Sequence, residues 1–431
     1  MDNFGNEIVD ASPTKDFFIY MLTRDIDIRP AIVELIDNAI DGAKKIRINN
    51  MYEGLKIQLI LNTDEFIIED NCGGIDIETA TKYAFKFGRS ASREKDYSAY
   101  FTGIFGIGMK RALFKLGKEF TVISTTKTEH FQMDVNVDEW IKSKDWNFKI
   151  HDVGRKMNND VCGTKIIVKR LNNDIALNFD NEYFINTLID YIQKYRNVES
   201  ENGLSIIVNN YTIDYGKEKL IELEDIQPYK NKIIDEQGNI TIVAGITKRG
   251  EPKKAGWYVY CNGRLVLYAD KSSLTGWGDG NREYHPSLAE FRGYVYFESK
   301  DLLLLPWNTT KTGVDTSNRM YIIAREKMNE AMTQVFKVIS ETKNKYDVTS
   351  LDQLSFVVKA KEMQLSYSNI SQIRDNKDFA IGEPEKVIPM STILFKRPTE
   401  DVDNVKKKIG ASSNKALGEK LFDYYCEMEG M

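Results

Sequence analysis

The chain has 431 residues, enough for two or three domains, and its 42% hydrophobic and 29% charged residues are ordinary for a globular protein. A net charge of −5 and a pI near 5.6 argue against a generally basic nucleic-acid-binding protein, although a local basic groove is compatible with both values. The four cysteines are far apart and form no C-x-x-C pair, which argues against zinc and a disulfide framework and fits a reducing cytosol.

The sequence shows no pattern of secretion or membrane insertion. Its first residues are acidic and polar, unlike a signal peptide, and no apolar run approaches the roughly 20 residues of a membrane span. We therefore expect a cytoplasmic protein without a membrane partner.

The most informative predicted element is the helix that begins near Pro30, after a shorter predicted helix at 14–29. At about 100° per residue, four polar residues share roughly a third of its circumference, and apolar residues fill the opposite side. These four are Glu34, Asp37, Asn38 and Asp41. Like charges this close repel one another, so a cation or a proton should lie among them, which suits Mg²⁺ and a water-activating base. The plainer interpretation is a solvated amphipathic face.

Short strands and helices alternate through the rest of the first half. The predicted strands are 57–62, 65–70, 120–124, 131–137 and 165–169. The predicted helices are 77–87, one that starts at Met109, and 182–195. Turn-rich residues follow the second strand at Asn71–Gly74, and the segment 88–102 has the composition of a mobile loop.

From about residue 203 the pattern changes to strands joined by hairpins. The clearest signal is Asn262-Gly263 between two apolar runs, which predicts a type I′ turn. A long amphipathic helix is predicted at 320–342, a polar segment at 343–404, and one or two small helices beyond Val405.

The glycines at 103–108 invite comparison with a P-loop. In Gly103-x-x-x-x-Gly108-Met109-Lys110, a methionine separates the glycine from the lysine, and Arg111 stands in place of Ser or Thr. No buried strand precedes the motif, so we reject a P-loop. The glycines still fit a phosphate site, because backbone N–H groups approach an anion closely where no Cβ intervenes, and a helix N-terminus adds positive potential.

Four motifs in a fixed order carry a resemblance to a known superfamily. They are Glu34-x-x-Asp37-Asn38-x-x-Asp41, Asp70-x-Cys72-Gly73-Gly74, Gly103-x-x-Gly106-x-Gly108 and Gly163-Thr164. Their order and spacing resemble the GHKL ATPases, the superfamily of gyrase B, a large heat-shock chaperone, sensor histidine kinases and MutL. The sequence departs from the superfamily at Cys72, where glycine is common.

The resemblance implies ATP and Mg²⁺ as ligands and a role for each matching residue. Glu34 is implied as the general base that polarises the attacking water, Asn38 as the Mg²⁺ ligand, and Asp41 as a supporting acid. Asp70 is implied to accept the adenine amino group. The remaining matches are Gly74 beside the adenine, Thr164 as the hydroxyl that reaches it, and Gly103, Gly106 and Gly108 as lid hinge and phosphate cradle.

Two later stretches resemble the transducer domain of MutL-, gyrase- and MORC-like proteins. Tyr258–Arg264 is similar to a strand pair of that domain, and Leu305–Lys311 to the loop that presents a basic residue to the ATP γ-phosphate. Lys311 is then implied as a catalytic sensor of that phosphate, whereas its plainer interpretation is an ordinary surface lysine.

The expected fold class is α+β with three parts. A Bergerat-type α/β sandwich ATPase domain with an N-terminal strap covers 1–200. An α/β transducer domain, similar to ribosomal S5, covers 201–342, and a mostly helical tail covers 343–431.

Several branches of the superfamily fit poorly. No histidine precedes His130, so we expect no phospho-accepting histidine ahead of the ATPase domain. The chain is short for the further domains of the heat-shock chaperone, has no candidate for a topoisomerase cleavage tyrosine, and lacks histidines after residue 343 that a MutL-type nuclease would use. The stretch from Pro13 into the Glu34 helix looks like bacterial ATP-binding proteins of the MORC/heat-shock-chaperone-like branch.

We expect a slow ATPase that acts as a switch. ATP and Mg²⁺ bind, the segment 88–108 closes as a lid, Lys311 docks, and the chain forms a homodimer through residues 1–25 to clamp DNA or a protein partner. The alternative is a protein-interaction switch or chaperone-like ATPase that recruits an effector without contacting DNA. Local support for DNA comes from the basic hairpin tip 248–254, whose plainer interpretation is a solvated loop. A non-enzymatic nucleotide sensor is a further alternative.

Overall fold

The computed structural model describes residues 13–47, 51–88, 106–155, 161–195, 202–214, 219–222, 227–308, 310–365, 370, 373–380, 393 and 396–429. They form a mixed α+β structure that divides into two compact units, 1–384 and 385–431. Within the described ranges, no helix has both the length and the apolar character needed to cross a membrane.

The N-terminal part of the first unit is built on a large mixed sheet. Its described strands are β1 (Lys56–Leu61), β2 (Glu65–Asp70), β3 (Gly117–Thr125), β4 (Glu129–Asn136), β5 (Ile150–Arg155), β6 (Gly163–Leu171), β7 (Ser205–Val208) and β8 (Tyr211–Thr212). They lie in the order β5–β4–β3–β6–β2–β1–β7–β8. Strands β1 and β7 are parallel, and the other neighbours are antiparallel.

One helix of this part positions the polar residues identified from the sequence. The described helices are α1 (Lys15–Arg24), α2 (Ile28–Ile46), α3 (Ile77–Thr79), α4 (Gly108–Leu116), α5 (Val137–Lys142), α6 (Asn173–Phe179) and α7 (Glu182–Tyr195). Helix α2 begins after Asp27, whose carboxylate accepts a hydrogen bond from Ile28 N at 2.7 Å. Its apolar residues, such as Ile32 and Ile36, share one core with the inward-facing residues of β1. The sheet therefore covers the apolar side of α2, and the polar residues occupy another face.

Most helices and strands predicted for the first half are confirmed, and α7 has the predicted limits. The predicted helix 14–29 ends instead at Arg24, because Asp27 caps a new helix. The predicted helix 77–87 is α3 followed by a π-helical turn that ends at Ala84. Helix α5 and strand β5 were not predicted.

Helix α1 is fastened to the domain by a buried ammonium group. Lys15 Nζ donates to the carbonyl oxygens of Trp140, Ser143 and Asp145 at 2.6, 2.8 and 2.6 Å, around the C-terminal end of α5. Phe18 packs edge-on against Phe87, with ring centroids 5.1 Å apart. These contacts fix one side of α1 and leave the other side exposed.

A second sheet and a long helix form a separate core in the first unit. The strands of this part are β9 (Lys219–Glu222), β10 (Tyr229–Asp235), β11 (Gly238–Ile246), β12 (Gly256–Cys261), β13 (Arg264–Asp270) and β14 (Phe291–Glu298). Five of them form the sheet, in the order β10–β11–β14–β12–β13. The long helix α8 (Arg319–Lys345) packs on this sheet, which confirms the helix predicted at 320–342. Asn262 and Gly263 have φ of 47° and 83°, as the predicted type I′ turn requires.

The opposite face of the second sheet carries buried tyrosines. Tyr258 stacks on Tyr294 and Tyr260 on Tyr296, with ring centroids 5.1 and 4.8 Å apart, across the parallel strands β12 and β14. Such pairs contribute about 0.5–1.5 kcal/mol each beyond their burial. On the neighbouring strand β13, Tyr268 lies 5.3 Å beneath Lys194 Nζ of α7. The two sheets are therefore joined through α7 close to the hairpin of β12 and β13.

The chain after α8 contributes to both units. A short helix α9 (Ser355–Lys359) precedes strand β15 (Lys361–Gln364), which pairs antiparallel with β9 in the first unit. In the second unit, α10 (Thr399–Ile409) and α11 (Asn414–Glu429) follow one another, and Gly410 ends α10 in the left-handed conformation at φ 61°. Helix α11 lies within the tail in which one or two small helices were predicted, whereas α10 begins at Thr399, six residues before Val405.

Candidate active site

The polar face of α2 carries two buried carboxylates. Glu34 and Asp37 are 5% and 2% exposed, whereas Asp41 is half-buried and Asn38 is exposed. The four residues predicted from the sequence thus belong to one helix, but two of them are hidden from solvent. A buried carboxylate needs a partner charge or a proton, because its desolvation is otherwise too costly.

Two basic side chains from the second sheet and its following loop supply that charge. Lys311 Nζ lies 3.1 Å from Glu34 Oε1 and donates to Glu34 Oε2 at 3.2 Å. Arg264 Nη1 lies 3.6 Å from Glu34 Oε1 and forms an ion pair with Asp37. Arg264 and Lys311 are 1% and 3% exposed, so two anions and two cations form one cluster shielded from water.

This cluster keeps Glu34 ionised. Burial alone would raise the pKa of Glu34, but the positive charges of Lys311, Arg264 and Arg111 outweigh burial and bring that pKa below its usual value. Burial lowers the pKa of Lys311 to about 8, against the attraction of Glu34, which raises it. Both groups are therefore charged at neutral pH, and the Lys311 ammonium loses its proton only above that.

The loop that carries Lys311 is a tight turn organised by Asn308. Lys311 N donates to Asn308 O at 3.0 Å, and Thr312 N donates to Asn308 Oδ1 at 3.0 Å. Lys311 itself has a left-handed φ of 54°, which is uncommon for a residue with a Cβ and persists where surrounding contacts impose it. Lys311 is thus a buried and constrained residue, in contrast to an ordinary surface lysine.

A second group of predicted residues meets at the end of β2. Asp70 Oδ1 accepts hydrogen bonds from Cys72 N at 2.8 Å and from Thr164 N at 3.4 Å. Burial raises the pKa of Asp70 to about 6, although these two hydrogen bonds act to lower it. Ser124 Oγ lies 3.3 Å from Thr164 Oγ1 on the neighbouring strand. The structure thus brings Asp70 and Thr164 together, with a carboxylate that gains its charge just below neutral pH.

Three of the predicted glycines stand where a side chain would not fit. A Cβ on Gly74, which has a φ of 74°, would overlap Thr125 O, and a Cβ on Gly163 would overlap Asp70 O. A Cβ on Gly108 would overlap Glu34 Oε2, so the first turn of α4 lies directly against the carboxylate of Glu34. Gly106 has a φ of 62°. Gly103 and most of the predicted lid 88–108 lie outside the described residues.

The position of Lys110 agrees with the rejection of a P-loop. Its ammonium is buried and donates to Ala84 O at 2.7 Å and to Lys86 O at 2.8 Å. A P-loop lysine instead directs its ammonium to nucleotide phosphates. Lys110 ties α4 to the chain that follows α3.

Arg264 was not among the residues predicted for the site. The stretch Tyr258–Arg264 had been singled out as a strand pair, so the signal was a basic residue directly after a two-residue turn. What local sequence does not show is that this turn ends against α2. Asn262 O accepts a hydrogen bond from Lys44 Nζ of α2 at 3.2 Å, which completes that contact.

The oxygen atoms of Asn38 and Asp41 fit a metal ion that takes most of its ligands from a bound nucleotide and water. Within the described residues, no group of three or more His, Cys, Asp or Glu side chains could hold a metal ion. Asn38 is exposed and offers an amide oxygen, next to the half-buried Asp41 on the following turn of α2. Mg²⁺ in nucleotide sites uses one or two protein oxygens together with phosphate oxygens and water, so these residues fit Mg²⁺ delivered with a nucleotide.

Part of this site lies in a segment that matches a known family model. Residues 26–164 match the family model described as histidine kinase-, DNA gyrase B-, and HSP90-like ATPase. The match supports the GHKL superfamily for this segment and indicates ATP-hydrolysing activity. It covers Glu34, Asp70, Gly108 and Thr164, and it ends before Arg264 and Lys311. A search of curated proteins found no match.

The close approach at Gly163 gives a test of the site's construction. We expect Gly163→Ala to lower the free energy of unfolding by about 1–3 kcal/mol, because the added Cβ must displace the backbone of Asp70. The measurement is urea unfolding followed by circular dichroism. Gly154→Ala on β5 is the matched control, since a Cβ there meets no atom within 4 Å. Equal changes in the two variants would contradict the described packing.

Proposed function

We propose that the protein is a Mg²⁺-dependent ATPase that works as a conformational switch, in which the second sheet responds to the nucleotide held by the first. The contact of Lys311 with Glu34 carries this proposal. This buried ion pair links the loop that follows the second sheet to helix α2, which packs on the first sheet. A γ-phosphate beside Glu34 would compete for the same ammonium. The position of Lys311 would then depend on whether that phosphate is present.

Glu34 can act as a general base once Lys311 has left it, because the attraction of that ammonium lowers the pKa of Glu34 and weakens it as a base. It is ionised, it is anchored in the first half of α2, and the first turn of α4 lies against its carboxylate. In the proposed reaction Glu34 accepts a proton from the attacking water. Asn38 would hold Mg²⁺, which neutralises charge on the phosphates, and Asp41 would support that ion.

The other end of the site would select the nucleotide base. Asp70, as a carboxylate, would accept a hydrogen bond from the adenine amino group, with Thr164 beside it and Gly74 beside the ring. Gly106 and Gly108, with Gly103, would offer backbone N–H groups to the phosphates at the start of α4. The segment 88–108 would act as the lid.

A substitution of Glu34, the proposed general base, should separate ATP binding from ATP hydrolysis. We expect Glu34→Gln to bind ATP with an affinity within about threefold of the parent and to lose at least about 100-fold in kcat, because the amide cannot accept the proton. Phosphate release and isothermal titration calorimetry measure the two quantities. Turnover at the parental rate would remove Glu34 from the mechanism. The control is Glu182→Gln in the first turn of α7, where Glu182 is exposed, and this variant should leave both quantities unchanged.

The pKa of Asp70 predicts how binding depends on pH. Below a pKa of about 6 Asp70 is protonated and no longer offers a free carboxylate, so ATP affinity should fall progressively, approaching about tenfold per pH unit. Calorimetry between pH 5 and pH 8 measures the effect. Asp70→Asn should bind ATP weakly throughout and show no transition near pH 6. Normal affinity in this variant would refute the assignment to adenine.

We also propose that ATP promotes a homodimer through α1. The face of α1 opposite to Lys15 exposes Phe17, Tyr20 and Met21, which are 57%, 56% and 47% exposed. These residues repeat at three- and four-residue spacing and form one apolar stripe on an anchored helix. Exposed apolar patches of this kind mark association surfaces.

Solution mass tests the dimer directly. We expect the mass from light scattering to double when a non-hydrolysable ATP analogue and Mg²⁺ are added, and Tyr20→Glu to stay monomeric. Tyr183→Glu on α7 is the control, since Tyr183 is 76% exposed but distant from α1 in sequence. An unchanged mass with the analogue would refute dimerisation.

The structure gives less support to a DNA clamp than to a protein partner. The basic segment 248–254, predicted as a hairpin tip, is instead the loop between β11 and β12, which β14 separates in the sheet. In this loop Lys248 Nζ donates to Val358 O at 3.0 Å and Lys254 pairs with Glu251 at 3.0 Å. These lysines already have partners within the chain. We therefore place the effector among proteins, and DNA binding that weakens on charge reversal of Lys253 would favour DNA instead.

A further inference from the structure

The guanidinium of Arg264 serves no role in the function proposed so far, yet it is among the most deeply buried charges of the chain. Arg264 is 1% exposed and faces the two buried carboxylates of α2. It forms an ion pair with Asp37, and its Nη1 lies 3.6 Å from Glu34 Oε1. Burial lowers its pKa, but Arg264 remains charged at every pH at which proteins fold. A buried charge of this kind costs several kcal/mol unless its partners are present.

The two cations of the cluster are held in different ways. Arg264 is the first residue of β13 and is paired across the hairpin with Cys261, so its backbone belongs to a sheet. Lys311 stands in a loop and carries a single point charge on a long side chain. The Arg264 guanidinium is a planar group that pairs with Asp37 from a strand, whereas the Lys311 ammonium is a compact point charge on a flexible stem that can turn from a carboxylate to a phosphate. Arg264 is thus suited to remain in place, and Lys311 to exchange partners.

The hairpin of Arg264 is also connected to the segment that leads to Lys311. The Asn262 side chain donates to Ser299 O at 2.9 Å and accepts from Ser299 N at 3.0 Å, at the end of β14. Asn262 O in turn accepts from Lys44 Nζ, two helical turns beyond Asp37 on α2. The hairpin therefore contacts α2 at two residues, Asp37 and Lys44. Through Asn262 it also holds Ser299, where the segment that leads to Lys311 begins.

We propose that Arg264 is a positioning residue of the ATPase site, which acts through Asp37 to hold α2 and its Glu34 against the second sheet while Lys311 moves between Glu34 and the nucleotide phosphate. This inference rests on the proposed function. Without Arg264, the two carboxylates depend more on Lys311, whose Nζ lies 3.1 Å from Glu34 Oε1 and 3.9 Å from Asp37 Oδ2, and they retain it in competition with the phosphate. The reaction then loses rate, and the adenine end, built from β2 and β6, still binds.

The test compares Arg264→Gln and Arg264→Lys in the full chain. We expect Arg264→Gln to lower kcat at least about tenfold with KM for ATP within about threefold, and Arg264→Lys to recover part of kcat because it restores the charge. Arg292→Lys is the control, since Arg292 is equally buried in the same sheet but donates to the carbonyls of Ala289 and Phe291 at 2.9 Å. It should keep the parental kcat.

A double-mutant cycle with Asp37→Asn tests whether Arg264 acts through Asp37. The loss of kcat in Asp37→Asn/Arg264→Gln should be close to that of one single variant, since both remove the same ion pair. Losses that multiply, or a raised KM with unchanged kcat, would overturn the inference. If Arg264→Gln does not fold, Arg264→Met replaces it in the cycle, because Arg264→Met also removes the charge that pairs with Asp37. A parent chain that hydrolyses no ATP would refute the proposed function, whereas an active parent matched by Arg264→Gln would refute this inference alone.

Discussion

Glu34 and Asp37 of α2 form buried ion pairs with Arg264 and Lys311, which belong to the second sheet and the loop after it. The arrangement of the first unit depends on these ion pairs. Each of these ions would cost several kcal/mol to bury alone, and attraction repays that cost only when the partners are correctly placed. The apolar back of α2 on the first sheet sets where Glu34 and Asp37 stand. The hairpin and the loop of the second sheet must then bring Arg264 and Lys311 to the same point, so charge fixes the register between the two sheets.

The two ends of the site depend on different parts of the chain. Asp70 and Thr164 lie on the neighbouring strands β2 and β6 of the first sheet, and Thr164 N donates to Asp70 Oδ1 at 3.4 Å. The hydrogen bonds described for these two residues are made with residues of the first sheet and the turn that follows β2. Glu34 is kept ionised mainly by Lys311 and Arg264, which lie beyond the matched family segment, and to a smaller extent by Arg111 within it. In the proposed function, recognition of the base and the chemistry at the phosphate therefore depend on different parts of the chain, as a nucleotide-driven switch requires.

Much of the fold follows from local patterns. The 3.6-residue period of α2, the alternation of β1 and the Asn262-Gly263 turn each reflect forces between near neighbours, and each was predictable. The polar face around Glu34 was predictable for the same reason. The contact of Arg264 with Asp37 was not, because it depends on how two separately folded sheets meet. The capping of α2 by Asp27 was also missed, since Pro30 gave a competing signal for the helix start.

The separation of Glu34 and Lys311 by 277 residues has a consequence for the order of events on the ribosome. N-terminal domains generally fold first as a polypeptide emerges, at about 5–20 residues per second. The first sheet and α2 are complete well before the loop of Lys311 has been translated. During that interval of several seconds the carboxylates of α2 lack their cations and stay hydrated. In the proposed mechanism, a nascent chain therefore begins to turn over nucleotide only after its second sheet has been made and has closed on the first.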